Sequence, residues 1–260
     1  MKKAGFLLSS SSLIVLLMVS ATAWAVPISH TWDFHLTCYN NGICNDTWEP
    51  VGNKRTASSD QGLNVTVSAF SFTDPDGTGP SVDSWLGQYL GTSGGLGVSN
   101  SQGDGSHTVD NVGYSDYVVF EFAQPVTVSS YYLSIYDDGD STWYVGNLTP
   151  GFDFTNKTLA NVNALGLTKG TNSWNASTDP NPLEMISTGV AGNYLILASR
   201  LNTSDTDDEF KIRSITATQD VPDPVPEPGT LVLVGSGLTI LGFVVRRRWA
   251  GNALRGNNQG

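Results

Sequence analysis

The chain has 260 residues and a formal net charge of −11, with 13 basic and 24 acidic side chains. Between residues 26 and 225 the imbalance is stronger, because 23 acidic residues face only 7 basic ones. So acidic a segment repels nucleic acid and anionic lipid, which excludes a nucleic-acid-binding function. The length allows one ordinary domain or two small ones, and 39% hydrophobic residues suffice for a packed core.

Residues 1–25 have the three parts of a secretory signal peptide. Lys2 and Lys3 precede an apolar run from Phe6 to Val19, and Ala23-Trp24-Ala25 supplies a small-x-small cleavage site. An uncleaved N-terminal membrane anchor is the alternative, but the apolar run is short for one. The pattern predicts export, with Val26 as the first residue of the mature chain.

Cys38 and Cys44 are the only cysteines of the chain. In an exported protein such a pair predicts an intramolecular disulfide that closes a small loop. A metal site is the alternative, since His35 is near in sequence. Nothing nearby completes the four ligands that such a site needs.

The body, residues 26–220, is predicted to be all-β and to form a single β-sandwich with a jelly-roll-like arrangement. Apolar and polar residues alternate from Leu63 to Ala69, and β-branched and aromatic runs cover Tyr117 to Phe122 and Val126 to Tyr136. Gln124-Pro125 separates these two runs and predicts a hairpin connection. No long stretch has a helical apolar period.

Weaker patterns complete the prediction for the body. The stretch 74–113 is rich in Gly, Ser and Asp, which predicts a long ordered loop with one short strand at 96–98. A turn of helix is expected within 158–167. Other strands are expected at 31–36, 193–199 and 210–218.

Aspartates cluster on the predicted turns, where short carboxylates can bring several oxygens together. One group precedes the first strand of the expected hairpin and another follows the second, so both would emerge at the same end. Calcium takes six to eight oxygen ligands, which such a cluster can provide. The alternative is that these side chains cap turns and keep the surface soluble. The predicted calcium ligands are Asp110, Asn111, Asp137, Asp138 and Asp140.

No residue pattern predicts an enzyme. The sequence Gly91 to Gly95 matches G-x-S-x-G, but a nucleophile there requires a strand-turn-helix. His107 near Asp110 could form a general base, although a single histidine in a β loop is more often structural. Glycoside hydrolysis needs two facing carboxylates, and no pair is marked for it. Trp174, in a polar context, is the candidate ring for stacking on a glycan.

The C-terminal end has three parts. Residues 221–229 form a proline-rich linker that contains Pro226-Glu227-Pro228, and residues 230–249 hold an apolar segment that leads into Arg246-Arg247-Arg248. The apolar segment is barely long enough to cross a bilayer core of ~30 Å as a helix. The arginines predict that residues 250–260 stay in the cytoplasm as a tail.

These three parts, in this order over residues 225–249, resemble the PEP-CTERM sorting signal of Gram-negative bacteria. The resemblance implies that exosortase, a membrane protease-transpeptidase, recognises and processes the tail. A permanent single-span anchor is the alternative. The runs Gly94 to Val98, His107 to Asn111 and Tyr117 to Phe122 are also similar to those of exosortase-dependent surface proteins, a likeness that implies a location and no reaction.

Together these patterns predict an exported protein at the cell surface or in the extracellular matrix of a Gram-negative bacterium. Its expected role is a structural or adhesive component of the extracellular polysaccharide layer or biofilm matrix. The expected partners are exosortase, extracellular polysaccharide and, transiently through the C-terminal helix, the inner membrane. The alternative is a carbohydrate-binding module with a specific glycan ligand, and a glycosidase ranks third.

Overall fold

A computed structural model describes residues 25–36, 52–100, 105, 107–173, 181–186, 189–201, 206–222, 234–243 and 245–246. Strands dominate these residues and confirm the all-β prediction. The strands are β1 (Ala25–Asp33), β2 (Lys54–Ser58), β3 (Asn64–Phe72), β4 (Ser81–Asp83), β5 (Trp85–Tyr89), β6 (Gly95–Ser99), β7 (Val109–Asp110), β8 (Ser115–Ile135), β9 (Ser141–Gly146), β10 (Thr168–Asn172), β11 (Leu183–Met185), β12 (Ala191–Ser199) and β13 (Glu209–Pro222). The helices are α1 (Leu159–Asn163) and α2, over 234–243 and 245–246.

The longest strand, β8, takes part in two parts of the sheet. Residues 117–122 lie between β3 and β12, whereas residues 127–135 pair with β13 and, over a shorter length, with β11. Between these parts the register against β12 shifts from Gly192–Val126 to Tyr194–Glu121, so residues 122–125 of β8 lie opposite Asn193 alone and form a bulge. The predicted hairpin is therefore wrong. Pro125 does not turn the chain back but lies within β8. A bulge tolerates proline, because a residue there need not donate a backbone N–H to the sheet.

Within the described residues, hydrogen bonds join all thirteen strands into one sheet, and the bulge lets β8 run from one layer of this sandwich-like fold to the other. One layer has the order β2-β3-β8-β12-β9-β10, and the other places β13 between β8 and the pair β6-β5. Between the layers lies the main core, which includes Trp32, Phe120, Leu133, Leu195 and Phe210. The opposite face of the first layer packs under the segment between β9 and β10, where Phe154 and α1 close a second core.

Two further bulges keep the apolar side chains directed into the main core. Phe210 and Ile212 are buried there, and so are Ile215 and Ala217, although these two pairs differ in parity. The register of β13 against β8 shifts between Ile212 and Ser214 and shifts back between Thr216 and Ala217. In a regular strand without these bulges, residues of opposite parity point to opposite faces, so one of the two pairs would point away from the core.

Several sequence-based predictions are confirmed, namely the strands β3, β6, β12 and β13 and the turn of helix at α1. The first strand is shifted, because β1 ends at Asp33 instead of spanning residues 31–36. The long loop expected over 74–113 is wrong, since β4, β5 and β7 lie within it beside β6. These strands are too short, and too rich in Gly and Ser, for a periodic pattern to reveal them.

Candidate functional site

Three carboxylates meet where the loop between β8 and β9 passes the start of β13. Oxygens of Asp138, Asp140 and Asp208 all lie within 4.8 Å of one another, and we call these residues the acidic cluster. Asp138 forms a bridge with Asp208, and the backbone N–H of Glu209 donates to the Asp138 carbonyl at 2.7 Å. The backbone thus fixes both chain segments against each other. Asp140 and Asp208 are buried, whereas Asp138 is partly exposed.

A neighbouring amide orients Asp208. The Asn111 Nδ2 donates to Asp208 Oδ2 at 2.6 Å, and the Asp208 backbone N–H donates to Asn111 Oδ1 at 3.1 Å. The backbone N–H of Arg200 also donates to Asp208 Oδ2, at 2.8 Å. Asp208 is therefore held in one orientation by partners from two other segments.

Asp140 is held by a cation and a hydroxyl. The guanidinium of Arg200 forms an ion pair with Asp140 Oδ2, and Ser173 Oγ donates to the same oxygen at 3.2 Å. Arg200 also donates to Ser173 Oγ at 3.0 Å. Arg200 thus compensates one negative charge of the acidic cluster.

A fourth carboxylate lies close to the cluster. Glu184 in β11 is paired in register with Tyr131 of β8, and it is only 8% exposed although Leu183 and Met185 beside it point outward. Within the described residues, its buried Oε1 has no hydrogen-bond partner. Burial raises the pKa of Glu184, and the negative charge of Asp140 raises it further.

The pKa of Asp138 is raised for similar reasons. Burial is the largest cause, and the hydrogen bond from the Gly139 backbone opposes it. The negative charges of Asp140, Asp207 and Asp137 add to the upward shift. The site therefore favours a proton or a cation beside Asp138.

The structure separates the five predicted calcium ligands into groups. Asp138 and Asp140 belong to the acidic cluster, and Asn111 reaches it through Asp208. Asp110 accepts hydrogen bonds from Thr108 Oγ1 and the Val112 backbone instead, and Asp137 is exposed beside the cluster. These residues come together because β13 pairs with both β7 and β8, and not through a hairpin. Sequence reasoning missed Asp208 and Glu184, although an Asp-rich run at 205–208 marked the first.

An open groove of about 370 Å³ lies on the face of the first layer, beside the segment between β9 and β10. Its volume falls in the range of about 300–1,000 Å³ that is usual for small-molecule sites. The groove combines aromatic rings with acidic and amide groups. Its lining includes Asn53, Asp83, Glu121, Phe152, Asp153 and Tyr194. Glu121 Oε1 accepts a hydrogen bond from the Gly151 backbone at 2.8 Å, which ties the rim to β8.

Lys211 in β13 is a buried cation between two aromatic rings. Its Nζ lies 4.2 Å from the ring centre of Tyr136 and 4.8 Å from that of Tyr89, and it donates to the Tyr136 hydroxyl at 2.9 Å. Burial lowers the pKa of Lys211 to about 8, against a smaller upward effect of Glu209. The faces of the two rings stabilise the ammonium charge of Lys211, which is buried away from water.

The G-x-S-x-G pattern has a structural explanation. Residues 91–94 connect the antiparallel strands β5 and β6, so the required strand-turn-helix is not formed there. The carbonyl of Ser93 accepts from the Tyr136 hydroxyl at 2.6 Å, and the carbonyl of Thr92 accepts from Arg213. The loop is thus held through its backbone.

Other predicted site residues lie outside the described part of the chain. They are Cys38, Cys44, Trp174, Pro226, Glu227, Pro228, Arg247 and Arg248. Among the tryptophans that the structure describes, Trp32 and Trp143 are buried and Trp85 is 41% exposed. Trp85 is therefore an exposed ring that the sequence argument did not select.

Within the segment expected to form a membrane-spanning helix over 230–249, the structure describes residues 234–243 and 245–246, which are helical, and Arg246 is exposed. Among the helices of the described residues, none is long and apolar enough to cross a membrane.

Comparison with known families matches residues 224–248 to the PEP-CTERM protein-sorting motif. A search of curated proteins finds no match to the chain. The matched segment begins before Pro226-Glu227-Pro228 and ends within the arginine run, so it contains all three parts of the signal. The motif implies export across the inner membrane to the cell surface and processing by exosortase. The chain therefore carries a PEP-CTERM protein-sorting motif at residues 224–248, consistent with an exosortase-dependent sorting signal.

Proposed function

We propose that the chain is a non-enzymatic surface protein that exosortase processes and that serves as a structural or adhesive component of the extracellular polysaccharide matrix. The observation that carries the proposal is the sorting motif at 224–248, placed directly after an acidic all-β body. A protein delivered to this location with so acidic a body remains well solvated and repels anionic surfaces. Such properties suit a component that is embedded in a hydrated polymer.

Sorting is tested by a single substitution in the motif. Glu227→Ala should leave export intact but stop removal of the tail, because only the group that the protease recognises has changed. The matched control is Asp223→Ala, which removes a carboxylate one residue before the matched segment. Immunoblots of inner-membrane and surface fractions should show the unprocessed Glu227→Ala chain in the membrane fraction. Mature-sized Glu227→Ala protein at the surface would contradict processing through this motif.

The matrix role is tested by where the processed protein stays. It should co-purify with the producer's extracellular polysaccharide and be released when that polymer is digested. Cells that lack the protein should form a less cohesive matrix. Recovery of all the mature protein as a freely diffusing monomer, with unchanged cohesion of the matrix, would contradict this role.

The second candidate function is specific glycan binding, and the groove beside Phe152 favours it. Phe152 is partly exposed at the rim, next to the carboxylates of Glu121 and Asp153 and the amide of Asn53. Stacking of a sugar on the ring, with hydrogen bonds to these polar groups, is the contact that such a groove can offer. Below it, the buried side chains of Phe154 and Tyr194 support the rim.

Affinity electrophoresis in the producer's own polysaccharide separates the two functions. If the groove binds glycan, Phe152→Ala should reduce retardation at least tenfold. Trp85→Ala removes another exposed ring that does not line the groove, and it should leave retardation unchanged. Equal loss for both variants would indicate non-specific adhesion, and no retardation of the wild type would exclude glycan binding by this polymer.

A further inference from the structure

The acidic cluster has the dimensions of a cation site. Three oxygens that lie no more than 4.8 Å apart have a common point at most about 2.8 Å from each, and calcium–oxygen distances are about 2.3–2.6 Å. A contraction of a few tenths of an ångström would therefore allow one calcium ion to bind all three. Magnesium requires distances of about 2.0–2.1 Å in a near-ideal octahedron, so it fits this triangle less well.

Glu184 gives an independent reason to place a cation here. Its carboxylate is buried on the core-facing side of β11, and its Oε1 has no hydrogen-bond partner within the described residues. The negative charge of Asp140 acts on this carboxylate and raises its pKa. A buried carboxylate oxygen without a partner is costly unless a positive charge lies near it.

The side chains around the acidic cluster also limit which ion can bind among its carboxylates. Arg200 already binds Asp140 through Oδ2, and it compensates one charge among four carboxylates. Asn111 and the Arg200 backbone fix the carboxylate of Asp208, so the cluster is pre-organised on that side. Asp138 is partly exposed, which gives an ion and its water ligands a path from solvent.

We propose that Asp138, Asp140 and Asp208 bind a calcium ion, with water in the remaining positions and with Glu184 as a neighbouring negative charge outside the coordination sphere. Asn111 acts as a positioning residue that orients Asp208. The ion joins the loop after β8 to the start of β13, so it links chain segments that are about seventy residues apart in sequence. The ligand set differs from the sequence-based prediction, because it includes Asp208 and leaves out Asp110, Asn111 and Asp137.

The test uses the full exported chain, purified in detergent and stripped of metal with a chelator. Thermal unfolding is followed at pH 7.5 with chelator, with 2 mM calcium or with 2 mM magnesium. Saturating calcium should raise the melting temperature by about 5–10 °C, and magnesium should raise it by less than half as much. Terbium luminescence excited through nearby tyrosines gives a second readout, and calcium should displace the terbium signal.

Two carboxylate-to-amide variants distinguish a site from general charge screening. Asp208→Asn should abolish the calcium-dependent shift and the terbium signal. Asp137→Asn makes the same charge change one residue from Asp138, at an exposed side chain outside the cluster, and should keep both. If Asp208→Asn does not fold, Asp138→Asn takes its place, because that side chain is partly exposed.

The possible results either support or overturn the proposal. An unchanged melting curve with and without calcium, combined with no terbium signal, overturns it. Equal loss for Asp137→Asn and the cluster variant also overturns it, because diffuse screening would then explain the shift. A calcium shift that survives substitution in the cluster places the ion elsewhere.

Discussion

Gly97 in β6 shows at the residue scale why a glycine-rich strand is needed here. A Cβ added at Gly97 would lie only 1.8 Å from the carbonyl oxygen of His107. His107 is buried, has a φ of 50°, stacks on Tyr89 and hydrogen-bonds Ser99. The histidine that could have been a general base therefore fastens the loop before β7 to β6.

Gly97→Ala should destabilise the fold by about 1–3 kcal/mol, because the backbone of residue 107 must move to admit a methyl group. Urea unfolding measures the difference. Gly105→Ala is the control, since a Cβ there would meet no atom of the described residues within 4 Å. Equal stability of Gly97→Ala and the wild type would show that the close approach does not exist.

Lys211 gives a prediction about pH. The folded chain lowers its pKa from 10.5 to about 8, chiefly through burial. Between these two values the unfolded chain binds more protons at this group than the folded chain does. The free energy of unfolding contributed by Lys211 should therefore rise as the pH increases through this window.

Replacing Lys211 with Met should flatten the stability profile between about pH 8 and pH 9.5, below the range in which tyrosines ionise. Urea unfolding at half-unit steps measures the profile, and Lys169→Met removes an exposed lysine as a control. A Lys211→Met profile that runs parallel to the wild type would contradict the lowered pKa.

At the scale of the element, β8 determines the architecture. Its register against β13 changes between Thr216 and Ala217, where Ser129 of β8 is the extra residue opposite them. Ser129 Oγ donates to the Thr216 carbonyl at 3.1 Å, which secures the bulge. Through this bulge Val128 on one side and Tyr131 on the other both enter the main core.

Deletion of Ser129 should therefore be far more harmful than its replacement. Without the extra residue, side chains on one side of position 129 must turn to the opposite face of the strand. We expect Ser129→Ala to lower the melting temperature by a few degrees at most, whereas the deletion should abolish cooperative unfolding. Circular dichroism melts of both variants measure this. Cooperative melting of the deletion variant near the wild-type temperature would contradict the register.

The sequence was informative where strands are long and their side chains alternate, as in β3 and β12. It failed at β8, because Gln124-Pro125 has the composition of a turn while the structure uses it as a bulge. That choice depends on pairing with β12, which is distant in sequence. For the same reason Glu184 could not be linked to Asp140. Their proximity follows from the pairing of β11 with β8.

At the scale of the whole molecule, a C-terminal sorting motif follows a folded all-β body. The sorting motif at 224–248 implies export to the cell surface. The acidic body contains the two hydrophobic cores and the groove beside Phe152. Passage through an oxidising compartment has a chemical consequence for Cys38 and Cys44, which lie outside the described residues.

The protein purified after export should resist thiol reagents until it is reduced. A disulfide that closes so short a loop should stabilise the fold by roughly 2–3 kcal/mol, so reduction should lower the melting temperature. Mass spectrometry after alkylation, with and without reductant, counts the reactive thiols. Full alkylation of both cysteines in the native, unreduced protein would contradict the disulfide.

The position of β13 determines how the body bears a pull at its C-terminal end. β13 is the last strand of the body, and it pairs with β8 on one edge and with β6 and β7 on the other. A pull on the tail enters the body through this strand, which cannot leave until hydrogen bonds on both edges break. Resistance to force depends on the barrier to unfolding more than on equilibrium stability. Tension applied after β13 therefore falls on a strand flanked on both sides, and not on an edge strand that could be peeled away.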